Sequence, residues 1–296
     1  MKKYLSIFFA TVTAVALIAS CEKNGDNDGG KLDADDPGTV KTANLVAYFP
    51  LESEAETVVA EGITYSKKGG AAGFVKGMRG NAYSNTAADC KNISYLDFAL
   101  GEKNPFKSMT SFTISAWVKK PVPNDGSPAM ISLNGGDAGM GSLLLMFEGW
   151  GCNSDSLFVK PYLYNTSTPW KGQDFGLSNA GFTTDKWFHL IYSYNENDSK
   201  MSLYSNGAFV TDSERFADSV QPDGSQQKLG KLALDPAMTN LYIGAWHNNT
   251  DGAHSDAWRT SFSGSIDEIR IWNVALTPEE IEDLYTKEVI KADGIQ

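Results

Sequence analysis

Residues 262–285 read FSGSIDEIRIWNVALTPEEIEDLY, a stretch that predicts one β-strand followed by one capped helix. Apolar residues occur at both parities of residues 266–271, which is typical of a strand that is packed on both sides or lies inside a sandwich. The helix has a marked start, because Thr277 can cap it, Pro278 suits its first position and Glu280 completes a capping box.

The chain before this stretch is a series of short strand-like runs that are separated by turn residues. The runs are residues 45–51, 112–119, 143–147, 157–164, 187–194, 200–204 and 241–245. Asn206-Gly207 is the strongest short hairpin signal among the turns. Many short strands at this spacing indicate an all-β sandwich or barrel, which we place in one domain at residues 44–296.

Four of these runs and the closing stretch resemble motifs of the laminin-G-like, concanavalin A-like β-sandwiches. The runs read FTISAWV at 112–118, WFHL at 187–190, LYSNG at 203–207 and LYIG at 241–244, in the order of that family. The resemblance implies a jelly-roll β-sandwich of two antiparallel sheets with a short C-terminal helix. It says little about function, because this fold hosts lectins, hydrolases, adhesins and structural modules.

The amino terminus has the pattern of a bacterial lipoprotein signal peptide. Two lysines precede an apolar segment, residues 5–18, that is too short for an ordinary spanning helix. The sequence LIASC at 17–21 resembles a lipobox, which implies that residues 1–20 are removed and that Cys21 is lipidated. Two or three acyl chains give a stable anchor where one does not. An ordinary signal peptide with a chance cysteine is the alternative.

Residues 21–43 predict a flexible acidic tether, because they include too few apolar residues to form a core. Acidic residues after a lipidated cysteine resemble the surface-export signal of Bacteroidetes lipoproteins. The resemblance implies a protein that is anchored by lipid in the outer membrane of a Gram-negative bacterium and faces the cell surface. A periplasmic orientation stays open.

The charge balance of the chain is acidic. The formal net charge is −11, and loss of Lys2 and Lys3 with the signal peptide leaves −13. Because acidic domains are poor partners for nucleic acid and for anionic membrane surfaces, we expect no nucleic acid and membrane contact only through the lipid anchor.

Two cysteines besides Cys21 occur in the chain, Cys90 and Cys152. In an oxidising compartment they could form a disulfide. Two separate buried thiols are the alternative, because separation along the chain does not define the distance between two Cβ atoms.

A polar loop between two tryptophans, residues 245–259, is the first candidate for ligand binding. Sugar recognition combines an aromatic plate on the apolar face of the ring with directional hydrogen bonds to its hydroxyls. The loop offers both kinds of group in Trp246, His247, Asp251, His254, Asp256 and Trp258. A solvated surface insertion is the alternative. Zinc held by His247, His254 and Asp256 is a third hypothesis, although no fixed metal-ligand spacing is met.

A second aromatic cluster contains Tyr162, Tyr164 and Trp170. The two tyrosines share parity on one strand, so both rings point to the same face of their sheet. If that face is the concave one, the tyrosines form a stacking platform. If it is the inner face, they belong to the core.

Four further residues lie in apolar strand contexts and are predicted to be core residues rather than site residues. They are Trp117, Trp187, Trp272 and His189.

The family resemblance also implies a structural calcium ion that ties the first strand to the last. Asp267 matches the aspartate of the family's I-D-E motif and would supply a carboxylate oxygen, while Glu52 and the turn at Gly80 could add oxygens. Calcium takes about six to eight oxygen ligands, so backbone carbonyls and water would supply the rest. Alternatively, Asp267 only accepts hydrogen bonds from the turn.

The sequence offers no carboxylate pair with the usual spacing for glycoside hydrolysis, which needs two carboxylates about 5–5.5 Å apart in a retaining enzyme. Glu148 has no acidic partner close by along the chain. Asp267 and Glu268 are adjacent and are predicted to point to opposite faces of their strand. We therefore expect no enzymatic activity, while partner carboxylates from distant strands stay open.

The favoured function is glycan binding by a cell-surface lipoprotein, in a polysaccharide-capture system or on host glycans. An adhesion or structural module that binds protein is the first alternative. A divergent glycoside hydrolase is the second.

Overall fold

The computed structural model describes residues 37–86, 92–120, 126–148, 157–168, 171–176, 178–179 and 185–292. Four residues singled out above lie outside these ranges: Cys21, Cys90, Cys152 and Trp170. The lipidation, the disulfide and one member of the second aromatic cluster therefore stay predictions. Within the described ranges, no helix is long and apolar enough to cross a membrane.

The described residues form short strands and one α-helix, numbered here in chain order. The strands are β1 (Leu45–Phe49), β2 (Val59–Ala60), β3 (Ile63–Gly69), β4 (Ala72–Lys76), β5 (Asn81–Asn85), β6 (Tyr95–Leu100), β7 (Phe112–Lys119), β8 (Ala129–Asp137), β9 (Gly141–Phe147), β10 (Phe158–Tyr164), β11 (Gly172–Asp174), β12 (Ser178–Asn179), β13 (Trp187–Asn195), β14 (Lys200–Ser205), β15 (Ala208–Glu214), β16 (Phe216–Val220), β17 (Gln226–Lys228), β18 (Asn240–Ile243) and β19 (Ser265–Trp272). The helix is α1 (Pro278–Ile290).

Two large antiparallel sheets contain most of these strands, which confirms the predicted all-β sandwich with a C-terminal helix. Sheet A has the order β15-β14-β13-β7-β19-β1-β2, with β5 paired to β19 and β4 paired to β5. Sheet B has the order β11-β10-β9-β8-β18-β6-β3, with β12 paired to β10. Strands β16 and β17 form a separate hairpin.

The main core lies between the two sheets. Successive side chains of a strand point to opposite faces, so every second residue faces inward. Ile114 of sheet A and Leu145 of sheet B are inward-facing, buried members of this core. Phe49 and Phe98 meet edge to face across it, with ring centroids 5.2 Å apart.

Helix α1 packs on the outer face of sheet A. Its predicted capping box is present, because the Thr277 hydroxyl accepts from the Glu280 amide and the Glu280 carboxylate accepts from the Thr277 amide. Ile281 of the helix packs against Trp272 of β19 in an apolar cluster that is separate from the main core. The chain itself therefore buries this face of the sandwich.

The segment just before β1 also packs against the helix. Val40 is buried in the same apolar cluster, and its carbonyl accepts a hydrogen bond of 2.9 Å from Trp272 Nε1. Lys41 forms an ion pair of 2.7 Å with Glu280. The sequence assigns residues 37–43 to the tether. The structure instead packs them as part of the domain, where Val40 completes the apolar cluster under the helix.

Two of the three tryptophans expected in the core, Trp117 and Trp272, are fully buried, but they lie under helix α1 rather than between the sheets. Trp187 is only half-buried, because it is the first residue of its strand. His189 is buried as predicted, and its ring contacts both Trp117 and Tyr285, at centroid distances of 5.0 and 6.0 Å. Burial lowers the pKa of His189 to about 3, so the ring is neutral at physiological pH.

A β-bulge in β19 departs from the predicted strict alternation. The register with β7 shifts between Asp267 and Arg270, and Glu268 has a left-handed φ of 51°. An extra residue in a bulge resets the direction of the side chains. Ile266 and Ile269 both face the main core, so the bulge places Asp267 and Glu268 together on the outer face of sheet A and not on opposite faces as predicted. Burial and, next, the charge of Glu268 raise the pKa of Asp267.

The bulge also builds a buried ion cluster, defined here as Tyr48, Glu268, Arg270 and Glu288. The Arg270 guanidinium donates to Glu268 at 2.7 Å and to Glu288 of helix α1. It lies 4.3 Å from the centroid of the Tyr48 ring, and the Tyr48 hydroxyl donates to Glu268 at 2.6 Å. The cluster thereby connects β1, β19 and the helix.

Candidate functional site

The outer face of sheet B is the candidate for ligand binding, since helix α1 covers the outer face of sheet A. A line of directly paired residues crosses five neighbouring strands of this face: Asp97, Tyr242, Ser132, Leu144 and Tyr162. The residues between them along each strand, such as Ile243 and Leu145, point into the main core.

Tyr162 and Tyr164 lie on this outer face, in or against a small apolar cluster that is separate from the main core. Tyr162 is 8% exposed and Tyr164 is half-buried. Burial and the charge of Asp137 raise the pKa of Tyr162 to about 12, and its hydroxyl is hydrogen-bonded to the Asp137 side chain. The pair therefore points outward, not into the core between the sheets.

Trp246 is fully buried, which contradicts its expected role as an exposed sugar plate. Its ring packs on Leu144 and Met146 of the outer face, and its Nε1 donates to the Ser127 carbonyl at 2.7 Å. The polar sequence around Trp246 gives no sign of this burial. The apolar residues that the loop packs against belong to strands β8 and β9, which lie much earlier in the chain. Trp246 therefore packs beneath the candidate site and is not accessible to a ligand.

Trp258 is the exposed member of the tryptophan pair, with 42% of its surface accessible. It meets Trp246 edge to face at 5.2 Å. The Arg259 guanidinium lies against both rings, 4.9 Å from the Trp246 centroid and 4.8 Å from that of Trp258. Asp256 accepts from Arg259 Nε at 3.2 Å, so the cation is held in place from the side. The partly exposed ring of Trp258 is therefore held in a fixed position by the buried Trp246 and by Arg259.

His247 lies above the middle of the outer face. Its amide donates to the Ser132 hydroxyl at 3.0 Å, and its Nδ1 lies 3.2 Å from the same oxygen. Burial lowers the pKa of His247, with the nearby Arg259 charge as a smaller cause. The half-buried ring is engaged within the protein, with Nδ1 at the Ser132 hydroxyl and a hydrogen bond to the Ala138 backbone, so it helps to fix the loop on the sheet.

The other polar residues of the loop mainly shape its backbone. Asp251 accepts from the Ala253 amide at 3.0 Å, and His254 Nδ1 accepts from the Asp256 amide at 3.0 Å. Asp251 is exposed, while His254 and Asp256 are half-buried.

The zinc hypothesis has no support from this geometry. One ring nitrogen of His247 faces Ser132, and the Nδ1 lone pair of His254 is taken by an amide. Among the described residues, no group of three or more His, Cys, Asp or Glu side chains could hold a metal ion.

Glu148 does have an acidic neighbour in space, which the sequence did not reveal. Lys160 lies 3.7 Å from Glu148 and 2.9 Å from Asp174 of strand β11. Glu148 also accepts from the Ser127 hydroxyl at 3.2 Å. The Lys160 ammonium group therefore forms ion pairs with both carboxylates.

The residues proposed for calcium do come together, at the turn between β4 and β5. Gly80 has a φ of +57°, and a Cβ on it would lie 2.3 Å from a Glu52 carboxylate oxygen. The Glu52 carboxylate accepts from the Asn81 amide at 2.8 Å, and its carbonyl accepts from the Asn81 side chain at 3.0 Å. The Gly80 carbonyl accepts from the Gly77 amide at 2.9 Å.

The donors around Asp267 do not fit a calcium site. One carboxylate oxygen accepts from the Met78 and Arg79 amides at 2.8 and 3.1 Å, and the other accepts from the Glu268 amide at 2.8 Å. Calcium requires oxygen lone pairs that point at the ion, whereas here N–H groups occupy them. The geometry matches the alternative in which Asp267 accepts hydrogen bonds from the turn.

We therefore expect the melting temperature of the domain to be indifferent to EDTA and to added calcium. Asp267→Ala should destabilise the domain by about 1–3 kcal/mol or more, because buried amides lose their acceptor. Asp251→Ala, which removes an exposed aspartate that accepts from one amide, is the matched control and should have little effect. A melting temperature that rises with calcium would contradict this interpretation, since a bound ion stabilises by mass action.

Two residues of the outer face were missed at the sequence level, Tyr242 and Asp97. Tyr242 lies in the LYIG run, where Leu241 and Ile243 have the parity of the core. That alternation alone could have placed Tyr242 on the opposite face. Asp97 lies within a run that is otherwise apolar, YLDFAL, and its register opposite Tyr242 appears only in the folded sheet.

Comparisons with known proteins bear on the fold. Residues 94–282 match the sequence profile of the family described as the concanavalin A-like lectin/glucanases superfamily. No curated protein matches the chain.

Several solved structures are similar at low identity. The receptor-binding domain of botulinum neurotoxin mosaic serotype C/D is 14% identical, with a TM-score of 0.53 over 82% of this chain and 50% of that one. The binding domain of botulinum neurotoxin DC in complex with SialylT is 12% identical, with a TM-score of 0.50 over 84% and 52%. Domain 4 of AbnA, an extracellular arabinanase from Geobacillus stearothermophilus, is 18% identical, with a TM-score of 0.47 over 81% and 98%. The chain thus matches about half the length of the two neurotoxin domains, and these likenesses concern the fold alone.

Proposed function

The chain belongs to the concanavalin A-like lectin/glucanases superfamily, and within that family we propose that it binds glycan on the outer face of sheet B. The observation that carries the proposal is the fixed, 42% exposed ring of Trp258, held against Arg259 and Trp246. An aromatic plate that is already immobilised loses little conformational entropy when a sugar ring stacks on it.

The surroundings of this plate suit the hydroxyls of a sugar. In the same loop Asp251 presents an exposed carboxylate, and because Nδ1 of His254 accepts a hydrogen bond, its other ring nitrogen carries a proton that it can donate. Aromatic rings cover the apolar face of a sugar while these groups fix its orientation. The fold is shared with a neurotoxin binding domain that forms a complex with SialylT, which adds support at the level of the fold.

We also propose that the domain is held at the cell surface by lipid on Cys21, where it would capture polysaccharide or host glycan for the cell. The support is the sequence 17–21 and the acidic run after it. Cys21→Ala should move the protein out of the membrane fraction of fractionated cells. Retention of the variant in that fraction would contradict lipidation.

The test of glycan binding is a glycan array probed with purified residues 37–296, followed by affinity gels with the polysaccharides that correspond to each hit. Binding to a defined sugar series supports the proposal. Release of reducing sugar from the bound polysaccharide would instead favour the hydrolase alternative. An array without hits, together with capture of a protein ligand, would favour the adhesion alternative.

A further inference from the structure

We propose that helix α1 is a pH-sensitive latch, in which Glu288 is protonated while the helix is docked on sheet A and ionises above neutral pH to release the C-terminal half of the helix. Among the carboxylates of the helix, Glu288 is the buried one, with 3% of its surface exposed. Glu279, Glu282 and Asp283 are exposed to solvent. The latch lies on the sheet opposite the candidate ligand site, so it does not depend on glycan binding.

Two buried carboxylates share one buried cation beneath the helix. The Arg270 guanidinium donates to Glu288 and, at 2.7 Å, to Glu268. The side chains of all three residues are at most 2% exposed. Glu268 also accepts a hydrogen bond of 2.6 Å from the Tyr48 hydroxyl, so it is the better stabilised of the two carboxylates. A carboxylate without a full counter-charge in a dry interior retains its proton, which assigns the proton to Glu288.

Little further positive charge reaches Glu288 from the residues near the helix. Arg79, in the turn between β4 and β5, lies 3.9 Å from Glu268, but 26% of its side chain is exposed, so water screens its charge. Lys287 on the helix itself pairs with Asp283 at 2.7 Å.

The other titratable groups around the cluster add no cation. Burial lowers the pKa of His189 on β13 to about 3, so its ring is neutral. Burial raises the pKa of both Tyr48 on β1 and Asp267 on β19. Strand β7 contributes Trp117, which contacts the helix, and Ser115, which pairs with β19; neither titrates. The charge of the cluster is therefore decided by one guanidinium and two carboxylates.

The docked helix binds a proton that the released helix loses. Burial raises the pKa of Glu288 to about 8, although the Arg270 charge opposes this increase, and the Glu268 charge adds to it. In the released helix the carboxyl group meets water and titrates near its ordinary pKa of about 4.3. Protonation of Glu288 therefore stabilises docking fully below about pH 4.3, and that stabilisation is lost as the pH rises to about 8.

Two polar groups beneath the helix gain partners on its release. Neither ring nitrogen of His189 has a hydrogen-bond partner among the described residues, and the Ser115 hydroxyl has none there either. Both residues are 0% exposed. Buried polar groups without partners cost free energy, which hydrogen bonds to water recover on opening. The apolar contacts of Ile281 and Leu284 hold the first half of the helix, so we expect release at its C-terminal half.

Hydrogen–deuterium exchange of the full chain from about pH 6.5 to about pH 8 tests the latch. This window excludes the titration of a released His189, which favours opening below its ordinary pKa of about 6.5. After correction for intrinsic exchange, opening at residues 285–290 of the wild type should increase about tenfold per pH unit. Glu288→Gln retains a hydrogen-bonding group but cannot ionise, so its opening should not change with pH. Glu282→Gln, on the exposed face of the same helix, is the matched control and should behave as the wild type does.

Carbon NMR of the glutamate carboxyl groups is a second measurement that needs no variant to fold. One carboxyl group of the wild type should titrate near the pKa of about 8, and its signal should be missing from Glu288→Gln. Three results would overturn the proposal: opening of the wild type that is independent of pH, an equal pH dependence in Glu288→Gln, or wild-type glutamates that all titrate below about pH 6.

Discussion

Replacing Arg270 with alanine should lower the free energy of unfolding by about 3–5 kcal/mol, because removal of one member of a buried ion pair leaves uncompensated charge behind. Arg270 is 2% exposed and donates to Glu268 and Glu288, whose side chains are also buried. Both carboxylates are almost completely shielded from solvent. The loss in the free energy of unfolding should therefore be as large as that of a core truncation, and larger than that caused by removing a surface ion pair.

Chemical denaturation measures this effect, with Lys103→Ala as the matched control. Lys103 pairs with Glu61 at 3.0 Å, and both side chains are largely exposed. Such pairs contribute little, so the control should unfold almost as the wild type does. An Arg270→Ala variant that is no less stable than the control would show that the buried ion cluster does not stabilise the fold.

Replacing Trp258 with alanine should weaken glycan affinity more than tenfold, about 1.4 kcal/mol, and leave thermal stability nearly unchanged. Trp258 is substantially exposed, so little apolar burial is lost on truncation, while the sugar loses its plate. Calorimetric titration and a melting curve on the same sample separate the two effects.

Two other aromatic residues serve as controls for Trp258. Trp246→Ala should cost about 3–5 kcal/mol of stability, because Trp246 is fully buried. Phe209→Ala removes a 56% exposed ring from sheet A and should change neither affinity nor stability much. A large loss of stability in Trp258→Ala would make Trp258 a structural residue, and equal affinity in the Trp258 and Phe209 variants would move the ligand elsewhere.

The fold was predictable where local pattern and tertiary context agree. The closing stretch predicts β19 and helix α1, and its capping box is present with both predicted hydrogen bonds. The bulge at Glu268 was not predictable, because its backbone conformation is fixed by ion pairing with Arg270 and by the amides that hold Asp267. Strict alternation in the sequence gave no sign of it.

The site was predictable only in part. Parity showed that Tyr162 and Tyr164 share a face, but only the folded sheet shows that this face is the outer one. Polar neighbours suggested that Trp246 is exposed, whereas its burial depends on Leu144 and Met146, about 100 positions earlier in the sequence. Because these contacts are far apart along the chain, the sequence did not show that Trp258 packs against a buried Trp246.

A crystal structure of the domain with the glycan selected by the array tests the location of the site most directly. We expect the sugar to stack on the exposed ring of Trp258, on the outer face of sheet B. A sugar bound on the side of helix α1 or at the β16–β17 hairpin, with Trp258 left bare, would contradict the proposed site.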